Sequence, residues 1–141
     1  MILMPDGLTT RMQLGLWGEE VVRTELRRKG YDVIKPRWHS GGDLEAMSLK
    51  IEVKTAYQNQ DGQYRFCLCK DGCTDHSKSD IVILILVSRS GIGTTFVIPC
   101  SALENKKHLC LPKPYGYRGK YAEYRKSIMD GLKLQSRRIL Q

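Results

Sequence analysis

A chain of 141 residues, 41% hydrophobic and 27% charged, has the size and composition of one globular domain, so residues 1–141 are read as a single unit with its own core. No apolar run approaches the roughly 18 residues of a helical membrane span, which excludes that class. The balance of 23 Lys+Arg against 15 Asp+Glu, a formal +8, favours a polyanionic partner: DNA, RNA or an acidic lipid surface.

The opening MILMPDGLTT lacks a basic leader and a small-residue cleavage site, so the expected location is intracellular, cytoplasmic or nucleoid-associated. Five cysteines, an odd number, then read as reduced thiols rather than as a disulfide framework. Leu14 to Lys29 reads as a helix, with Gly15, Glu19, Val22 and Leu26 at three- and four-residue steps and Gly30 as its C-terminal stop. Tyr31 to Lys35 reads as a short strand ahead of Pro36, and Gly41-Gly42 marks a tight turn. Asp43 to Ala46 and Leu49 to Ala56 alternate as two strands of a hairpin turning at Met47-Ser48. A further strand is expected from Tyr64 to Cys69, completing a three-stranded meander, followed by a polar connector to Lys78. Asp80 to Ser88 holds the continuous aliphatic run of a strand buried on both faces, and Thr94 to Ile98 is the next strand, closed by Pro99. A basic, tyrosine-bearing loop from Lys113 to Lys120 leads to an expected helix from Tyr121 to about Leu134, with Tyr124, Ile128 and Leu132 on one side. The fold class is therefore α/β, a mixed central sheet flanked by helices.

Chemistry concentrates in the hairpin. In its second strand Lys50, Glu52, Lys54 and Ala56 share one face, so a carboxylate and an ammonium project side by side. Asp43 and Glu45 share a face of the first strand. Carboxylates from adjoining strands suit a hard cation such as Mg²⁺, which takes oxygen ligands and keeps water and substrate phosphate in its remaining positions. Asp43 and Glu52 supply such a pair, and the backbone carbonyl of Val53 offers another oxygen. Lys54 is placed to orient or help deprotonate a water and to offset charge building on a phosphate. Glu45, without the preceding glycine turn, is the alternative to Asp43. A lone Glu-x-Lys is usually just a solvated strand face.

The ordered set is more specific. Gly42-Asp43, eight intervening residues, then Ile51-Glu52-Val53-Lys54 resembles the signature of the PD-(D/E)XK nuclease superfamily, with Gly42 where the family name has proline. The helix pattern Glu19, Val22, Leu26, Gly30, Tyr31, Val33 resembles the helix that precedes that signature in many members. Glu20 is displaced from Glu19 by about 100° of helical turn, so Glu19 is matched to the helix carboxylate. The later strands are similar to those of Holliday-junction resolvase-like and intron-homing members, and the similarity covers roughly residues 15 to 103. Pro5-Asp6 has no attached hairpin and is set aside.

That resemblance implies a restriction-endonuclease-like αβββαβ core and a Mg²⁺-dependent DNA endonuclease, with Mn²⁺ as a substitute. Asp43, Glu52 and Val53 would hold the metal, Lys54 the water, and Glu19 a second metal or the first one's ligands. A homodimer is the simplest way to cut paired strands. The small size leans towards a structure-selective enzyme for junctions, flaps or forks. The competing readings are a sequence-specific homing or restriction-type enzyme, and a non-catalytic nucleic-acid-binding module on the same fold. Arg37, Arg65, Lys70, Arg118, Lys120 and Arg125, with Tyr115, Tyr117 and Tyr121, are the expected phosphate-contacting surface. His39, in a turn beside Trp38, is left outside the site. Cys67, Cys69, Cys73 and His76 have the donor types of a zinc site but an unusual spacing, and free or buried thiols are preferred.

Overall fold

Helix α1, Arg11–Arg28, starts at a reciprocal cap: the Gln13 N–H donates to Thr10 Oγ1 at 3.1 Å and the Thr10 N–H donates to Gln13 Oε1 at 3.1 Å. It ends as Gly30 requires. With φ at +86°, Gly30 lets its own N–H reach the Arg27 carbonyl and the Tyr31 N–H reach that of Leu26. The chain was analysed as a computed structural model, which describes residues 2–35, 44–70, 73–74, 79–104, 106–113 and 117–141, by backbone alone at 69–70 and 73–74.

The main sheet has five strands in the order β1-β8-β7-β3-β2: β1 Ile2–Leu3, β2 Leu44–Ala46, β3 Leu49–Tyr57, β7 Ile81–Val87 and β8 Ile92–Pro99. Strand β7 lies at the centre, parallel to β3 and antiparallel to β8, with all seven residues buried. Its IVILILV sequence fits that place, because β-branched and aliphatic side chains can pack on both faces. One face, carrying Ile51, Val53, Ile83, Ile85 and Val97, is covered by α1 and by α3, Ile128–Ile139. The other face, carrying Val82, Leu84, Leu86, Phe96 and Ile98, packs with a two-stranded ribbon of β4, Tyr64–Cys67, and β9, His108–Leu111. The mixed α/β class with flanking helices is thus the observed one. Among the described residues, no helix is long and apolar enough to cross a membrane.

Several expectations are corrected. The inward stripe of α1 is Leu14, Gly18, Val22 and Leu26, so Gly15 and Glu19 flank it by one position. Tyr31 to Lys35 forms no strand; a single bridge joins Ile34 to Glu45. The strand at Tyr64 does not complete a meander with β2 and β3, since it pairs with β9 instead. Between β3 and β7 the described backbone holds β4 and the short pair β5, Cys69–Lys70, and β6, Cys73–Thr74. Residues 122–124 make one 3-10 turn, and α3 begins only after Ser127, whose side chain accepts the Asp130 N–H at 3.2 Å. A four-residue helix, α2 Cys100–Leu103, follows β8.

Candidate active site

Strand β3 carries the central pair. The hairpin turn is the expected one: Met47 and Ser48 take φ of 55° and 61°, and Ala46 pairs with Leu49. Such a two-residue turn fixes the register, so Leu44 faces Ile51 and Glu45 faces Lys50. Alternation then sends Ile51, Val53 and Thr55 to the α1 face, and Glu52, Lys54 and Ala56 to the opposite face, beside Val82, Leu84 and Leu86. Glu52 is only 8% exposed, and Lys54 Nζ lies 3.4 Å from its Oε1. A carboxylate so buried needs a cationic or hydrogen-bonding partner to remain ionised. Lys54, whose side chain is 26% exposed, supplies that partner and still reaches solvent.

Asp80 fixes the start of this strand, a role the sequence did not suggest. Its carboxylate accepts the Lys50 N–H at 2.8 Å, its N–H donates to the Lys50 carbonyl at 2.9 Å, and its carbonyl accepts the Cys100 N–H at 3.0 Å. Three segments therefore meet at Asp80, which is bonded to Lys50, two positions before Glu52 on β3. Both backbone groups of Lys50 point to β7, so by alternation the Val53 carbonyl points to the β2 side of β3. Cys100 stands close by: burial first, then the charges of Asp80 and Glu52, push its thiol up to about 12. Its thiol is thereby held in the protonated form at neutral pH. The signal for Asp80 was its position, a carboxylate directly ahead of an otherwise apolar strand.

Glu19 sits on α1 with its side chain 14% exposed, and its carboxylate pairs with Lys35 Nζ at 3.0 Å. That pair ties the helix to the segment leading towards Gly42-Asp43. Helix α1 packs on the Thr55 face of β3, the face opposite Glu52. Asp43, with Arg37, His39, Gly42, His76 and Tyr115, lies outside the described residues. In the chain Asp43 directly precedes Leu44, the residue opposite Ile51. Glu45 pairs with Lys50 and bonds through its backbone to Ile34. Among the described residues, no group of three or more His, Cys, Asp or Glu is placed to hold a metal. For the zinc alternative, Cys67 is exposed on β4, while the side chains of Cys69 and Cys73 are not described.

The expected phosphate-contacting surface divides. Arg65 pairs with Asp61 at 2.9 Å and Lys120 with Glu104 at 3.3 Å. Tyr121 is 4% exposed, with Lys106 and Lys120 above its ring, and Tyr117 meets the buried Phe96 edge-on at 6.2 Å. Tyr121 is thus buried in packing, while Tyr117 stays partly exposed. Arg125 is exposed and joins Phe96 through a backbone bridge.

No family model matches the chain. Over 50 residues it is 40% identical to a UPF0102 protein of Syntrophomonas wolfei, a match covering 30% of this chain. It spans 44% of the length of that curated relative. The fold is similar to that of a bacterial homing endonuclease, I-Ssp6803I, with a TM-score of 0.69 over 92% of this chain and 96% of that one. Sequence identity there is 15%, so the shared property is the fold. The fold and the Gly42-Asp43 to Lys54 motif agree in their PD-(D/E)XK nuclease-like resemblance.

Proposed function

We propose that the chain is a divalent-metal-dependent DNA endonuclease that hydrolyses phosphodiester bonds at Glu52 and Lys54. The observation that carries the reading is the buried Glu52 carboxylate with the Lys54 ammonium 3.4 Å away, on a homing-endonuclease-like fold. A carboxylate is the hard oxygen donor that Mg²⁺ or Mn²⁺ takes. Asp43 and Glu52, with the Val53 carbonyl, would hold the ion, and Glu19 would hold a second one or steady the first one's ligands. The ion would polarise the scissile phosphate and lower the pKa of water.

The residues themselves do the rest. Glu52 holds the Lys54 ammonium beside it, and Lys54 holds the attacking water and faces the charge that develops on the phosphate. Asp80 positions Glu52 by locking Lys50 to β7. Glu19 ties Lys35 to α1. Two copies related by a twofold axis would cut both strands of a duplex or paired strands of a junction, and the small domain favours structure selectivity over long sequence readout.

A labelled panel of linear duplex, single strand, flap, fork and four-way junction, incubated with Mg²⁺ or Mn²⁺, tests this. Metal-dependent cutting that is lost in Glu52→Ala and Lys54→Ala is the expected result, with branched substrates preferred. Tight binding without cutting under either metal would instead make the chain a non-catalytic module on this fold.

A further inference from the structure

A second charged feature lies apart from Glu52. A cleft of about 440 Å³ opens between the C-terminal end of α1, the edge of β8 and the segment entering α3. Arg28, Arg125 and Lys126 line it together with Thr94, Thr95 and a single carboxylate, Glu25. All three cations are exposed. Their backbones are held in place: the Phe96–Arg125 bridge and the bond from the Thr95 hydroxyl to the Lys126 carbonyl pin residues 125–126 to β8. Arg28 comes from the last turn of an 18-residue helix. Rigid support of this kind reduces the ordering cost of binding a charged ligand.

The cleft is not part of the Glu52 site. Thr95 pairs with Ile85 and projects to the α1 face, whereas Glu52 pairs with Val82 and projects to the other. Three residues along β7 separate the two levels, about 10 Å at the usual strand rise. A ligand here would therefore bind without help from Glu52 or a metal.

We infer that this cleft is a separate, metal-independent docking site for the phosphodiester backbone of duplex DNA. The choice of DNA over other polyanions rests on the endonuclease reading; the charge complementarity does not. Three cations held by rigid backbone suit backbone phosphates, which take Arg and Lys side chains. Glu25 sets the limit on affinity, since its carboxylate lies 3.5 Å from Arg28 and competes with phosphate for it.

The test is binding of a labelled duplex of mixed sequence in EDTA, across a salt series, so that cutting plays no part. The triple variant Arg28→Gln/Arg125→Gln/Lys126→Gln should lower affinity roughly 10- to 100-fold and flatten the log–log salt slope by about 2 to 3. Lys106→Gln/Lys107→Gln/Lys113→Gln, an equal charge loss elsewhere, should change far less. Glu25→Gln should bind more tightly, by a few-fold, a gain that misfolding cannot mimic. Equal losses in the two triple variants, or no loss in the first, overturn the inference. It is equally overturned if inorganic phosphate titrates the cleft while duplex affinity ignores Arg28, Arg125 and Lys126. Cleft-dependent binding with no cutting under Mg²⁺ would sink the endonuclease reading alone. Cutting with binding indifferent to the cleft would sink this inference alone.

Discussion

Replacing Gly18 by alanine should loosen the helix that carries Glu19 from the strand that carries Glu52. A Cβ at position 18 would clash with Thr55 Oγ1, well inside van der Waals contact, and lie 3.3 Å from Thr55 Cβ and 3.5 Å from Ile85 Cδ1. Thr55 can yield only by changing χ1 within a packed face, which is costly for a β-branched side chain. Overpacking of this kind costs about 1–3 kcal/mol, against a helix-propensity gain of roughly 0.8–1.0 kcal/mol for Gly→Ala. Gly15, on the same helix, has nothing among the described residues within 4 Å of its missing Cβ and should show the gain alone. The two variants should therefore differ by about 2 kcal/mol in opposite directions from wild type, read as urea midpoints at unchanged m. Among the described residues Thr55 Oγ1 has no hydrogen-bond partner, so Thr55→Ala forfeits little and should rescue most of the Gly18→Ala loss. The reasoning fails if Gly18→Ala is as stable as Gly15→Ala, or if the double variant is no better than Gly18→Ala.

Two further tests follow from local geometry. Ser48 holds φ at 61° in the hairpin turn, so Ser48→Gly should stabilise the fold by up to about 1 kcal/mol in a thermal melt, and a loss would contradict the turn described. Cys100 titrates at about 12 in the folded chain against an ordinary 9.0, so the native state holds that proton more tightly than the unfolded chain. Its contribution to stability is complete below pH 9 and is lost as pH rises towards 12. Cys100→Ser should flatten that alkaline loss, and Glu52→Gln should let iodoacetamide reach the Cys100 thiolate at lower pH; unchanged labelling would argue against their proximity.

Much of this fold was legible because its signals are local. The presence of α1, the stop at Gly30, the Met47-Ser48 turn and the buried run of β7 all follow from periodicity or turn chemistry within a few residues. The start of α1 at Arg11, three residues before the expected Leu14, is instead set by the Thr10 cap. Pairings between distant segments leave no such mark. Nothing in Tyr64–Cys67 announces His108–Leu111 as its partner, and a meander with β3 was the simpler local reading. The C-terminal helix was placed early because Tyr124, Ile128 and Leu132 keep helical spacing across a 3-10 turn, while the Ser127 cap carries the true start. Glu52 and Lys54 were readable from strand alternation. Asp80 was not, because its role lies in hydrogen bonds to a neighbouring strand rather than in any motif.

Manganese binding and plasmid nicking, measured together on wild type and Glu52→Gln, bear most directly on the central claim. Wild type should bind Mn²⁺ and nick supercoiled DNA only when the ion is present. Glu52→Gln should lose at least about 100-fold of the nicking, the scale of a lost catalytic group, and bind the ion more weakly while melting within a few degrees of wild type. Undiminished metal-dependent nicking by Glu52→Gln, or a folded wild type that neither binds Mn²⁺ nor nicks, would contradict the account.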